Sequence, residues 1–390
     1  MKTLILVNDA YGASIGGIEN SIRHLSAAAK QLKWEAIVVA GDANTDNAEL
    51  GRLYEDTDAP EIFRYSTRPI KWLGVFNLPL AFMLQTRLLG RLRSASPEAV
   101  IVSRFHLSVL SARLAGFTAV RYLVPGMMAD QYRAGLSKIE LIRRPGLLIK
   151  CWFHAIIQKY AIRLSVVYVF STLMHLRCDD LISNRRSAIT ITRPGVDGTR
   201  FYLGSSLGRT ELRESLGLPL GKRLVLFAGR FVAAKGVGVL IESLQFLPRD
   251  VELVLVGGGE SKQNFMRQIE LAGLQDRVHL RSPTHVIEEY FRCCDVFAMS
   301  SVYEPFGQTI VEALASGLPV VAFSSQAGVQ TATQELGFDE YITYSNEYTA
   351  CALAKSLELQ LSMPIEKREA QSQKALGKFS WPRLLDDLIR

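Results

Sequence analysis

The sequence has no uninterrupted apolar run of the length a bilayer-spanning helix requires. Its first apolar segment, Leu4-Ile5-Leu6-Val7, is too short for the core of a secretion signal. It runs into Asn8-Asp9 and reads as an opening strand. Cysteine is scarce: Cys151, Cys178, Cys293, Cys294 and Cys351 are odd in number and scattered. The vicinal pair Cys293-Cys294 has no second pair at zinc-ligand spacing. A disulfide framework and a zinc site are thereby disfavoured, and buried reduced thiols in a cytosolic protein are expected. Internal repeats and low-complexity segments are absent. The dinucleotide fingerprint Gly-x-Gly-x-x-Gly is also missing, because Gly12, Gly16 and Gly17 stand at other spacings. That argues against a nicotinamide- or flavin-dependent oxidoreductase. Acids are absent from residues 62–97 and from residues 141–178, although each stretch carries six Lys or Arg.

The 390 residues, 48% of them hydrophobic, suit two domains with a core each. Charge divides them. Residues 1–195 hold 25 Lys and Arg against 15 Asp and Glu, and residues 196–390 hold 20 against 23. The net charge of +7 therefore belongs to the first half. The pattern alternates short apolar strands with helical segments, as in a doubly wound α/β fold. Thr3 to Asn8 is a strand, a glycine loop follows, and a helix starts near Ile18. Further strands are expected at Ile37–Ala40, Val100–Val102 and Ala119–Val124. Ligands of such sheets sit outside the carboxyl ends of strands, so Ser103-Arg104-Phe105-His106 and Val124-Pro125-Gly126 are candidate site loops. Asp56-Thr57-Asp58 lies in an acidic loop and reads as a solvated turn, not a metal site. No metal ligands are expected elsewhere.

In the second half the pattern continues with strands at Leu224–Ala228, Val251–Val256, Arg277–Arg281 and Cys294–Ala298. The first leads into Gly229-Arg230-Phe231-Val232-Ala233-Ala234-Lys235-Gly236. Arg230 and Lys235 on a strand-to-helix loop make a cationic clamp suited to a diphosphate: Arg can hold two oxygens, and Lys acts as a point charge. The last leads into the stretch around which the chain is organised, Ser301 to Ala322. Glu304 and Glu312 lie eight residues apart there, with Pro305 and Gly307 breaking regular structure between them. A helix begins at Gln308, with Ile310, Val311 and Leu314 apolar, and stops at Gly317 and Pro319. Backbone N–H groups at Gly307, Gln308 and Thr309 suit an anion, above all a phosphate. The two acids suit sugar or ribose hydroxyls.

Glu304-Pro-Phe-Gly with Glu312-Ala-Leu-Ala-Ser-Gly-Leu-Pro-Val-Val-Ala resembles the Glu-x7-Glu signature of the retaining GT-B glycosyltransferases of family 4. Three further pieces match. Gly16-Gly17-Ile18-Glu19 is similar to the family's Gly-Gly-x-Glu, Gly229-Arg230-x4-Lys235-Gly236 fills the diphosphate motif, and Val196-Asp197 follows the family's hinge. The resemblance implies two Rossmann-like domains facing a cleft, with a C-terminal helix returning to the first. The implied boundaries are residues 1–193 with 378–390, and residues 197–375. It also implies roles. Glu304 contacts the donor sugar, Glu312 holds the ribose, and Gly16 and Gly17 lie beside the phosphates. Arg281 and Ser282 touch the base, mostly through backbone, and Phe306 to Thr309 line the site. Many members carry a His after the strand that here ends in Val124-Pro125-Gly126, and this chain lacks it. His106, after the neighbouring strand, is the candidate in its place.

The expected activity is transfer of a sugar from a nucleotide diphosphate donor, UDP- or GDP-linked, to a glycan or lipid-linked acceptor hydroxyl with retention. It needs no metal and no cofactor. Cell-surface polysaccharide, lipopolysaccharide or glycolipid assembly is the expected setting, and no nucleic-acid partner is expected. The alternatives are an inactive sugar-nucleotide-binding partner subunit and a GT-B nucleotide-sugar epimerase. The acid-free basic stretches mix Lys and Arg with Trp72, Phe76, Phe82, Trp152 and Phe153. They suggest a cytoplasmic protein held peripherally at an anionic inner membrane face.

Overall fold

In the structure, a computed structural model, residues 2–11, 17–42, 60–68, 70, 77–128, 144–182 and 188–390 are described. Gly12, Gly16, the Asp56-Thr57-Asp58 turn, Trp72, Phe76 and Arg143 lie outside the described residues, as do the side chains of Arg144 and Lys150. The chain divides into two compact units. One comprises Met1–Gly195 with Trp381–Arg390, the other Val196–Ser380.

The first unit contains β1 (Thr3–Ala10), α1 (Gly17–Gln31), β2 (Glu35–Gly41), β3 (Glu61–Tyr65), α2 (Asn77–Ala95) and β4 (Val100–Ser103). It continues with α3 (His106–Leu114), β5 (Val120–Leu123), α4 (Arg144–Arg163), β6 (Val166–Val169), α5 (Thr172–Ile182) and β7 (Ile189–Ile191). Its seven strands form a parallel sheet in the order β3-β2-β1-β4-β5-β6-β7. Successive strand residues point to opposite faces, and here both faces are covered. Leu4 and Leu6 pack with Ile22 and Leu25 of α1, while Ile5 and Val7 pack with residues of α2 to α5. This is why the opening strand is a continuous apolar run. The C-terminal helix, Trp381–Ile389, belongs to this unit. It lies against α1, burying Leu384, Leu385 and Leu388 at about 1.5–3 kcal/mol each. The Trp381 ring stacks on His24 at 5.0 Å, and Thr192 Oγ1 donates to Asp387 Oδ2 at 2.6 Å.

The second unit opens with α6 (Ser206–Ser215), β8 (Arg223–Ala228), α7 (Val237–Ser243), β9 (Val251–Val256), α8 (Lys262–Leu271), β10 (Val278–Arg281) and α9 (Ile287–Cys293). It continues with β11 (Val296–Met299), β12 (Tyr303–Glu304), α10 (Gln308–Ala315), β13 (Val320–Phe323), β14 (Gln330–Thr331), β15 (Ile342–Ser345), α11 (Ala350–Gln360) and α12 (Ile365–Lys378). Six strands form a parallel sheet in the order β10-β9-β8-β11-β13-β15, and β12 pairs with β14 in a small parallel ribbon. The direction of strand order reverses between β8 and β11, as it does between β1 and β4 in the first unit. Each unit is thus Rossmann-like, with a switch point at which such sheets take ligands.

Candidate functional site

The site in the second unit is built at that switch point, from the loops that leave β8 and β11. All four residues of β11 are buried, as are Ser300 and Ser301 after it. The loop after β8 turns through a short 3-10 segment, Ala233–Lys235, into Gly236 at φ 62°. A side chain there would be strained, and its Cβ would lie 1.9 Å from the Ser300 carbonyl oxygen. Glycine therefore lets the two loops touch. Ser300 Oγ donates to the Lys235 carbonyl at 2.8 Å, and Val302 N donates to the Ala234 carbonyl at 2.9 Å. These bonds bring Lys235 to Glu304 across 69 residues of sequence: the Lys235 ammonium donates to Glu304 Oε2 in a largely buried ion pair.

Glu304 is held on its other side by the ribbon. It pairs with Thr331, and its carbonyl accepts from Ala332 N at 3.0 Å. Gly307, at φ 91°, then opens α10 in the left-handed region with no side-chain cap. The N-terminus of α10 so begins three residues beyond the Glu304 carboxylate, and the helix dipole favours negative charge there. Phe306 and Gly307 are buried; Gln308, Thr309 and Glu312 are half-buried. Arg230 is exposed and has no ion pair or side-chain hydrogen bond among the described residues. A cation, an ion-paired ammonium and a helix N-terminus thus stand on adjoining loops of one sheet edge.

Arg200 stands in none of the motif positions named from the sequence. Its guanidinium donates to Glu288 at 2.5 Å and to the His285 carbonyl at 2.6 Å. Burial pulls its pKa down, but the Glu288 hydrogen bond and the charges of Glu288, Asp197 and Glu312 outweigh this and hold it above the usual arginine value. Glu312 is thus one of the carboxylates whose charge acts on Arg200. The only signal in the sequence was its place in Val-Asp-Gly-Thr-Arg, just past the domain boundary. Arg281 has a structural occupation as well: Nη2 donates to the Gly217 carbonyl at 3.1 Å, at the end of α6, and its own carbonyl accepts from Gly257 N at 3.0 Å. Ser282 beside it is exposed.

The candidates in the first unit are placed differently. Gly17 is the first residue of α1, with Glu19 in its first turn. His106 does not stand in an open loop at a strand end, as the sequence suggested. β4 stops at Ser103, and His106 is the first residue of α3, only 1% exposed. Its Nε2 lies 2.8 Å from His154 Nδ1 on α4, and its ring meets Phe105. Burial, reinforced by His154, pushes its pKa down to about 3, so the ring is neutral at physiological pH. The polar residue directly at the end of β4 is Arg104, also buried. Its Nη1 donates to the Leu123 carbonyl at 3.2 Å, its guanidinium lies 5.7 Å over Phe170, and burial lowers its pKa to about 10.

Residues 208–377 match the family model "Glycosyl transferases group 1". A D-inositol 3-phosphate glycosyltransferase from Xylanimonas cellulosilytica is 38% identical over 152 residues, which is 37% of this chain and 36% of the relative. The chain spans between about a third and a half of the length of the curated relatives that it matches. Among solved structures, Anabaena HepE in complex with UDP and glucose is similar over 99% of this chain and 97% of that one, with TM-score 0.74 and 18% identity. Sucrose-phosphate synthase from Thermosynechococcus elongatus is similar over 100% and 97%, with TM-score 0.79 and 17% identity. The fold is that of the GT-B glycosyltransferases, two Rossmann-like units in one chain, and the second unit carries the family match to glycosyl transferases group 1.

Proposed function

We propose that the chain is a retaining glycosyltransferase that moves a sugar from a nucleotide diphosphate donor to an acceptor hydroxyl. The observation that carries this reading is the Lys235–Glu304 ion pair at the switch point, beside the N-terminus of α10 and the exposed Arg230. An ammonium has three donor hydrogens. One holds Glu304, which leaves two for the oxygens of a diphosphate. Arg230 adds a planar fork to the same group, and α10 adds its dipole. Glu304, fixed by Lys235 and by the ribbon, orients the sugar, and Glu312 accepts from the ribose hydroxyls. The similar Anabaena structure named above, which holds UDP and glucose, supports a nucleotide-sugar donor.

In the reaction, the bond from the anomeric carbon to the diphosphate oxygen breaks as the bond to the acceptor oxygen forms on the same face. The acceptor proton passes to the departing phosphate, so no protein base is required. Arg230, Lys235 and the helix N-terminus stabilise the charge that develops on the leaving group. No step calls for a metal or a cofactor. The test is incubation of the purified protein with a panel of UDP- and GDP-linked sugars, reading release of nucleotide diphosphate by mass spectrometry. The anomeric configuration of the product is then read by proton NMR. Release with retained configuration is expected. Inversion would refute retention, and binding of donor without release or transfer would favour a partner subunit that holds the sugar nucleotide.

A further inference from the structure

A helix packed on a sheet normally turns charged and polar residues outward. α4 does not. Its inner side packs on the sheet through buried Gln158, Ala161 and Ile162. Its outer side exposes Leu148, Ile149, Trp152, Phe153 and Tyr160, with Ile149 at 68% and Trp152 at 67%. At about 100° per residue these five positions fall within roughly 140° of arc, and Lys159 falls inside the same arc. Each is contributed by the acid-free stretch 141–178, whose only charges are basic. The face therefore joins a wide apolar strip containing Trp to positive charge and carries no carboxylate.

We infer that the outer face of α4 docks on an anionic lipid surface, with Trp152 and Ile149 entering the interface and Lys159 reaching the headgroups. Three observations select this occupant. Trp and Tyr are the side chains that settle at a membrane–water boundary, with one end apolar and the other wet. A Lys stem can lie along the apolar strip while its ammonium stays among phosphates. The positive sign of the whole first half of the chain complements an anionic leaflet and would repel a second copy of itself. No helix among the described residues is long and apolar enough to cross a membrane, so the contact lies on the surface. Together with the function proposed above, which this inference presupposes for its purpose, it makes the acceptor one presented at a membrane. The docking itself requires no glycosyl transfer.

The test is co-sedimentation of the full chain with vesicles of phosphatidylcholine alone and of phosphatidylcholine mixed with phosphatidylglycerol. Binding to the mixed vesicles, weak binding to the neutral ones and release by raised salt are expected. The double variant Ile149→Glu, Trp152→Glu should bind the mixed vesicles at least about tenfold more weakly, and Lys159→Gln about fivefold more weakly. Release of nucleotide from a soluble donor should be unchanged in both, which separates failure of docking from failure of the proposed activity. Three results would overturn the inference: undiminished binding by the double variant, equal binding to neutral vesicles, or no binding at low salt. A wild-type dimer that the double variant abolishes, without vesicle binding, would assign the face to self-association instead.

Discussion

The two units share one strand order over the first six strands of their main sheets, and the strand ends described at β4 and at β8 and β11 are used in opposite ways. In the second unit, the loops after β8 and β11 turn their charged residues toward each other and toward solvent, giving an exposed Arg230 and the Lys235–Glu304 pair. In the first, the residues after β4 are folded inward: Arg104 is buried against a carbonyl and an aromatic ring, and His106 is locked to His154. A Rossmann-like sheet supplies a place for a ligand, but the loops decide whether that place is lined by reactive groups or filled by packing. The contrast allows the two units to be perturbed separately. All four tryptophans, Trp34, Trp72, Trp152 and Trp381, lie in the first unit, so intrinsic fluorescence reports on that unit.

The largest effect is expected at the clamp. Lys235→Ala and Arg230→Ala should each lower turnover by an amount equivalent to roughly 2–4 kcal/mol of transition-state stabilisation. Tryptophan fluorescence unfolding should be little altered. Wild-type turnover in a folded double variant would remove the diphosphate assignment.

Next comes the pH response of the first unit. His106 stays neutral in the folded state down to about pH 3, whereas in the unfolded chain it takes up a proton below about 6.5. Its contribution is therefore complete above pH 6.5 and is lost as the pH falls toward 3. By pH 5 the loss amounts to about 2 kcal/mol. The urea midpoint read by tryptophan fluorescence should fall more steeply between pH 7 and pH 5 in the wild type than in His106→Gln; parallel slopes would contradict the buried pair.

Two smaller effects belong to the second unit. Gly236→Ala must accept a left-handed backbone and a clash with Ser300, at a cost of at least about 1–2 kcal/mol. Circular dichroism should register the loss. An unchanged transition would mean that the two loops do not meet as described. Arg281→Ala should cost only about 0.5–1.5 kcal/mol through the lost contacts to the end of α6, and should leave nucleotide binding intact. A large loss of binding there would give its side chain a direct part in the site.

The fold was legible because its signals are local. Leu4 to Val7 reads as a strand covered on both faces, and Gly317 with Pro319 marks the end of α10. The motif residues Arg230, Lys235, Glu304 and Glu312 were legible as a set. Their mutual arrangement was not, since the Lys235–Glu304 pair depends on the contact between Gly236 and Ser300 that only tertiary structure brings about. His106 was misplaced for a related reason. Its position after a strand indicates a site loop, but the turn at Ser103 and the partner on α4, 48 residues away, redirect it into the packing. Arg200 gave only the weak signal of its place past the domain boundary, because its ion pair is made with Glu288, 88 residues away.

Titration calorimetry of UDP and GDP into the wild type and into the Arg230→Ala, Lys235→Ala double variant tests the central claim most directly. Binding of one of the two nucleotides by the wild type, weakened at least about thirtyfold in a double variant that remains folded, is the predicted result. Absence of binding of either nucleotide, or equal affinity in the two proteins, would contradict the placement of a diphosphate site at the switch point of the second sheet.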